Sequence, residues 1–235
     1  MSAIFPKWMN LFPTVSAIGG LLGLTGVVGG FWYYATPKFW NVGYMPVQPG
    51  PAGFNHQIHA GKLGMDCRYC HTKVEKSYEA NIPNVATCNG CHAEDRITLY
   101  TTSEVHKERT NFIREAYAAD ASIPWRRVHK VPDYVHNFPH QAHLAAGVSC
   151  FSCHGRIDTM PVVYQSQPLS MSWCLDCHRN PEQNLVPKDQ VTNLNWVEAQ
   201  LAERANGAAS AVAAGKTLVD ALKNSPPQNC GACHY

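Results

Sequence analysis

Every cysteine in the chain falls into one of five copies of the frame C-x-x-C-H: Cys67-Arg68-Tyr69-Cys70-His71, Cys88-Asn89-Gly90-Cys91-His92, Cys150-Phe151-Ser152-Cys153-His154, Cys174-Leu175-Asp176-Cys177-His178 and Cys230-Gly231-Ala232-Cys233-His234. Two thiols separated by two residues and followed at once by an imidazole suit covalent attachment of c-type haem. The thiols add to the two vinyl groups, and the histidine lies beneath the iron as proximal ligand. Structural zinc, a thioredoxin-like redox pair and a disulfide framework also draw on cysteine pairs, but none requires a histidine directly after every pair. Five covalently bound haems c are therefore expected, with His71, His92, His154, His178 and His234 as proximal ligands. Because bacteria complete this attachment on the far side of the cytoplasmic membrane, the haem-bearing part is expected in the periplasm.

Composition points the same way. Charged residues make up only 15% of the 235, against roughly 25% in an ordinary soluble domain. Part of the deficit lies in the first 37 residues, whose single charge is Lys7. Beyond them only 37 of 198 residues are Leu, Ile, Val or Phe, too few for an ordinary aliphatic core. Five porphyrins, each with apolar surface to bury, would supply what is missing. The formal charge of +2 excludes a nucleic-acid-binding stripe. Haem propionates would turn the mature protein acidic, which suits a basic redox partner.

From Trp8 to Pro37 no residue is charged, and Val15 to Tyr34 supplies the roughly 20 apolar or small residues of a membrane-spanning helix. A cleaved secretory signal has a shorter apolar region, and here Phe31-Trp32-Tyr33-Tyr34 puts four aromatics where an interfacial belt belongs. Retention as a single-pass anchor is expected. Lys7 and Lys38 flank the span evenly, so the haems decide the orientation: N-terminus inside, C-terminal domain outside. Gly19, Gly23, Gly26 and Gly30 recur along one helix face, a small-residue stripe through which another membrane helix could pack closely. Membership of a membrane complex is the expectation.

The division expected is an anchor over 1–37, a Pro- and Gly-rich linker over 38–53, and a pentahaem domain over 54–235. Two related halves fill most of that domain. Phe54-Asn55-His56-Gln57-Ile58-His59 precedes the first two frames, and Phe138-Pro139-His140-Gln141-Ala142-His143 precedes the next two. Haem pairs thus fall in 54–96 and 138–181, with the fifth frame at 230–234. Ile97 to Ala119 is helix-compatible, and the alanine-rich Trp196 to Lys223 reads as two helical pieces interrupted at Asn206-Gly207. No sustained alternation argues for a sheet. The fold class expected is mainly α and irregular, wrapped around haems.

Five irons need five more axial ligands, and seven histidines are free: His56, His59, His106, His129, His136, His140 and His143. All-histidine ligation is affordable, leaving low-spin, low-potential irons without an open position. His56/His59 and His140/His143 stand three residues apart, so each pair projects from one turn toward neighbouring irons. His129, in a rigid apolar setting after Trp125, is the fifth candidate and His136 the reserve. His106, within Ser103-Glu104-Val105-His106-Lys107-Glu108-Arg109, reads as part of a solvated helix face. Met65, Met160 and Met171 lie near frames and read as ordinary packing.

The F-x-H-x-x-H segment before C-x-x-C-H resembles class III multihaem cytochromes c, in which the first histidine commonly serves the haem attached just downstream. The resemblance implies His56 opposite His71 and His140 opposite His154. The single span, the five frames, Trp125-Arg126-Arg127-Val128-His129-Lys130-Val131-Pro132-Asp133-Tyr134 and Leu169-Ser170-Met171-Ser172-Trp173-Cys174 together resemble the pentahaem subunit of bacterial alternative complex III. That resemblance implies an electron-transfer subunit of a membrane-bound quinol:electron-acceptor oxidoreductase, with iron-sulfur clusters and quinol oxidation in other subunits. Electrons would leave to a periplasmic cytochrome c, another carrier or a terminal oxidase. No catalytic site is then expected in this chain. Two other classes remain open. A stand-alone membrane-anchored multihaem quinol dehydrogenase usually carries four frames, not five. A nitrite-type reductase would need an open iron, and C-x-x-C-K is absent.

Overall fold

A computed structural model describes residues 6–35, 42–51, 53–131, 135 and 138–234. His136 and part of the Trp125–Tyr134 motif, Pro132 to Tyr134, lie outside the described residues. The fold is mostly helical and irregular. Among the described residues no strand forms, and the sole β-type pairing is an isolated antiparallel bridge between Val148 and Leu185.

Helix α1, Phe12–Ala35, extends a 3-10 turn at Lys7–Leu11. The stretch Lys7–Tyr33 has a mean hydropathy of 1.8 over its most apolar window, and that window is wholly unburied, so it is long and apolar enough to cross a bilayer. Apart from chain neighbours and the helix's own nearby backbone, none of the described residues comes within 4 Å of a Cβ built at Gly19, Gly23, Gly26 or Gly30.

The rest is built from short helices: α2 Cys67–Cys70, α3 Val85–His92, α4 Glu94–Tyr100, α5 Glu104–Arg109, α6 Asn111–Ala118, α7 His140–Ala146, α8 Cys150–His154, α9 Met171–Arg179, α10 Leu194–Ala205 and α11 Ala209–Asp220. A π-helical turn, Gln57–Lys62, follows His56, and a 3-10 turn, Cys230–Ala232, opens the last frame.

The frames are helical for a local reason. Each is preceded by a residue whose side chain accepts a backbone N–H of the first turn: Asp66 from Arg68, Asn84 from Thr87, Ser149 from Phe151, Ser170 from Trp173 and Asn229 from Ala232. Capping of this kind stabilises a helix start by about 1 kcal/mol. Here it sets both cysteines and the histidine of a frame on one turn. The divided C-terminal helix has an equally local cause, because Gly207 takes φ +77° between α10 and α11.

The aliphatic core is small. Val186, Val191 and Val197 form its centre, with Phe151, Trp196 and Leu201 packed around them. The α10–α11 hairpin is seated by a buried arginine: Arg204 donates from Nε to Ala211 O at 3.0 Å and from Nη1 to Glu182 O at 2.7 Å and Leu185 O at 2.8 Å. Backbone carbonyls satisfy the guanidinium without a carboxylate, and burial lowers its pKa. The two repeat halves are joined by main-chain bonds from His140 N to Tyr78 O, Gln141 N to Ser77 O and Gln57 N to Met160 O, and the segment after the second half adds Thr192 Oγ1 donating to Asp66 at 2.9 Å. Residues 42–51 also pack onto this body. Gly43 and Tyr44 exchange backbone bonds with Gln165 at 2.7 and 3.0 Å, Gln48 bonds both ways with Arg126, and Pro46 is buried.

Two of the caps differ in environment and so in expected weight. Ser149 is 2% exposed and its hydroxyl also donates to Val191 O at 2.6 Å, whereas the Asn84 cap is solvent-facing. Ser149→Ala is expected to cost about 2 kcal/mol by removing both the cap and one of the two bonds to the Val191 carbonyl, which keeps its bond from Cys150 N. For Asn84→Ala the expectation is about 1 kcal/mol. Urea denaturation of the haem-bearing protein, comparing both variants with wild type, checks the order.

Candidate haem-ligand sites

The histidines that precede each half are aimed by the backbone in the same way. His59 donates from Nδ1 to Asn55 O at 2.8 Å, and its ring stacks on Phe54 with centroids 4.4 Å apart and planes at 23°. In the second half His143 donates from Nδ1 to Pro139 O at 2.9 Å, and its ring stacks on Phe138 at 4.4 Å and 22°. With Nδ1 committed to a carbonyl, the tautomer is fixed and Nε2 carries the free lone pair.

Those rings face proximal ones across a constant gap. Centroids are 6.1 Å apart at 42° for His59 and His92, and 6.2 Å apart at 44° for His143 and His178. His56 and His71 lie parallel, at 6.5 Å and 3°. A metal–imidazole bond of about 2.0–2.1 Å plus a ring radius of about 1.1 Å sets two rings across a shared metal about 6.2–6.4 Å apart, centre to centre. The residues present therefore fit haem iron between each of these three pairs.

The third frame departs from the pattern. His129 lies against His154 at 4.1 Å and 76°, too close for a metal between the rings as they stand. His140 is turned by a bond from Nδ1 to Tyr78 O. Both act electrostatically on His154, as do His71 and His56, so the first and third frames share one neighbourhood. At the fifth frame, His178 donates from Nδ1 to Pro227 O, which ties the C-terminal segment to the fourth.

His106 is where sequence reasoning and structure part. Its charged neighbours describe a solvated face, yet the residue is half-buried and its ring centre is 6.2 Å from that of His92, at 32°. No local pattern signals this, because α5 meets α3 only in the tertiary fold.

Burial holds the pKa of His56, His92 and His129 down at about 4. At His56 and His92 the neighbouring imidazoles and, at His92, Arg114 add to the effect, and at His129 His140 does. Burial, with the neighbouring His129, His140, His71 and His56 imidazoles, pushes His154 well below the ordinary value. These rings are thus neutral near pH 7, the form that ligates metal. Nδ1 of His56, His92 and His154 and Nε2 of His129 are buried without a hydrogen-bond partner.

The thiols trace the order of the frames in space. Before haem attachment, burial raises the pKa of Cys70, Cys88 and Cys174, and nearby thiols raise it further: Cys67 and Cys91 beside Cys70, Cys70 beside Cys88, Cys233 beside Cys174. Cys150 is held well above its usual range by contact with Cys67 and by burial, and Cys153, pushed up to about 12 by burial, neighbours Cys177 and Cys174. The frames therefore run 88–92, 67–71, 150–154, 174–178, 230–234.

Comparison with known proteins agrees with this chemistry. Residues 136–235 match the family described as cytochrome c7 and related cytochrome c. The chain is also similar to the multihaem cytochrome c subunit of a menaquinone reductase from Nitratidesulfovibrio vulgaris, 27% identical over 150 residues, covering 55% of this chain and 68% of that protein. The matched C-terminal part is thus similar to multihaem c-type cytochromes, in agreement with the frames it contains.

The position of His143 depends on where α7 stops. Gly147 ends that helix at φ +93°, and a Cβ there would run into the Val186 carbonyl. Gly147→Ala is expected to destabilise the protein by about 1–3 kcal/mol and to perturb the low-spin haem spectrum. Denaturation curves and the visible spectrum of the same preparation check both.

Proposed function

We propose that this chain is the electron-relay subunit of a membrane-bound, quinone-linked oxidoreductase complex and carries five haems c. Residues 1–37 anchor it in the bacterial inner membrane, 38–53 lead out, and 54–235 form the haem domain on the periplasmic side. The observation that carries the reading is the doubled ligand geometry: His59 with His92 and His143 with His178, at 6.1 and 6.2 Å and at nearly the same ring angle. Two equal sites in one short chain suit electron passage rather than catalysis at a single open metal.

In this reading Cys67 and Cys70, Cys88 and Cys91, Cys150 and Cys153, Cys174 and Cys177, and Cys230 and Cys233 carry the five groups. His56 lies opposite His71, His59 opposite His92, and His143 opposite His178. One of His129 and His140 supplies the ligand opposite His154, and the other is the candidate for the fifth iron, held proximally by His234. Bound haem supplies reversible one-electron iron chemistry. The protein's part is to hold neutral imidazoles in place, exclude water from them and keep successive frames adjacent.

Quinone chemistry, iron-sulfur clusters and the final acceptor then belong to partner subunits, one of them packed on the open Gly19, Gly23, Gly26 and Gly30 face of α1. The finer reading is the pentahaem subunit of an alternative complex III, delivering electrons from quinol to a periplasmic cytochrome c or an oxidase. It is supported by the single span, the five frames and the Trp125 and Leu169 motifs. A second reading reverses the flow, from a periplasmic donor toward menaquinone, and is favoured by the relative being a menaquinone reductase subunit.

Purification from native membranes with identification of every co-purifying subunit by mass tests the assembly. Stopped-flow mixing then tests direction: rapid haem reduction by a quinol analogue supports the first reading, and reduction by a reduced periplasmic cytochrome supports the second. A chain that purifies alone and oxidises quinol by itself would overturn both in favour of a stand-alone dehydrogenase. His59→Ala and His143→Ala are each expected to convert one low-spin haem to high spin while leaving the covalent haem count unchanged. Electron paramagnetic resonance together with intact mass reads both quantities.

A further inference from the structure

His92 is set apart from the other proximal histidines by what surrounds its backbone. Helix α3 ends at this residue, so its carbonyl belongs to the helix's unsatisfied, partially negative C-terminus. Two guanidinium groups close that end: Arg96 donates from Nη1 to Gly90 O at 2.9 Å, and Arg114 reaches His92 itself. Arg114, from α6, donates from Nη1 to His92 O at 3.2 Å and from Nη2 to Lys107 O at 2.8 Å. Its Nε pairs with Glu94 at 3.0 Å, the arginine side chain being 15% exposed and the glutamate 77%.

One side chain therefore clamps the C-terminus of α3 to α5 and keeps His106 beside His92. The two charges of the ion pair are unequal in effect. Glu94, the more exposed partner at 3.0 Å, offsets only part of the Arg114 charge, which lies largely inside the protein, where a field reaches further. The His92 ring feels that charge. Its counterpart in the other half, His178, has its Nδ1 tied to Pro227 O instead.

We propose that Arg114 is a positioning residue for His92 whose buried positive charge raises the reduction potential of the haem carried by Cys88 and Cys91. The inference rests on the reading of Cys88–His92 as a haem site. Reduction adds one negative charge to that site, and a fixed cation on the backbone of the proximal ligand favours the reduced form. The frame stands at one end of the spatial series of five, so the effect makes this end the electron sink of its half.

The test is a spectroelectrochemical titration of the mature full-length protein, with haem-bearing peptides mapped by mass on the same preparations. Arg114→Gln is expected to shift one redox component downward by about tenfold in its reduction equilibrium, about 59 mV for one electron, with the others unmoved. Glu94→Gln should move the same component upward, and Arg114→Lys should fall between wild type and Arg114→Gln. Should Arg114→Gln fail to mature, the upward shift in Glu94→Gln carries the test. Unmoved potentials in haem-complete Glu94→Gln, or downward shifts in both variants as from a shared loss of packing, would overturn the inference alone. Absence of haem from the Cys88–Cys91 peptide in wild type would overturn the haem reading beneath it.

Discussion

Two imidazole rings held about 6 Å apart with no protein atom required between them form the constraint on which the rest of this structure depends. To hold such a gap, each ring has to be fixed from behind, and the protein does so with backbone carbonyls. His59, His143, His71 and His178 all commit Nδ1 to a main-chain oxygen. Aromatic stacking on Phe54 and Phe138 fixes the planes of the first two. A carbonyl cannot swing as a side chain can, so the ring orientation is inherited from the local backbone. That explains why the same geometry recurs in two halves whose intervening sequences differ.

The same requirement accounts for the fold's economy. Helices are short because each needs only to present one frame or one histidine pair, and a capping side chain at every frame starts the turn without help from a large core. Three valines and their immediate neighbours are the aliphatic centre. Elsewhere packing is replaced by polar fixtures that bind carbonyls: Arg204 beneath the α10–α11 hairpin and Arg114 between α3 and α5. Guanidinium suits this task because its several donors can close two or three backbone ends at once.

How much of this could be read from the residues varies with how local each feature is. The frames, the caps, the split of the C-terminal helix at Asn206-Gly207 and the apolar span are written in contiguous sequence, since a few neighbouring residues decide each of them. The duplicated F-x-H-x-x-H segments likewise announce their shared geometry. His106 was illegible, because a helix's charged residues describe its solvent side and say nothing of which distant helix meets the other side. The docking of residues 42–51 on Gln165 and Arg126 was hidden for the same reason: a Pro- and Gly-rich stretch reads as a lead-out whether or not its backbone finds partners.

The sequence by itself determined the chemistry: which cysteines and histidines form frames, where helices begin, and that the chain carries too few aliphatics to fold as an ordinary globule. Only the tertiary structure decided the neighbours. It set the frames in the order second, first, third, fourth, fifth, put His129 against His154 alongside His140, and laid His106 and Arg114 around His92. The physical reason is range. Capping and thiol spacing act over a few residues along the chain. Ring-to-ring gaps and buried charges act across space between segments whose separation in sequence carries no information about their approach.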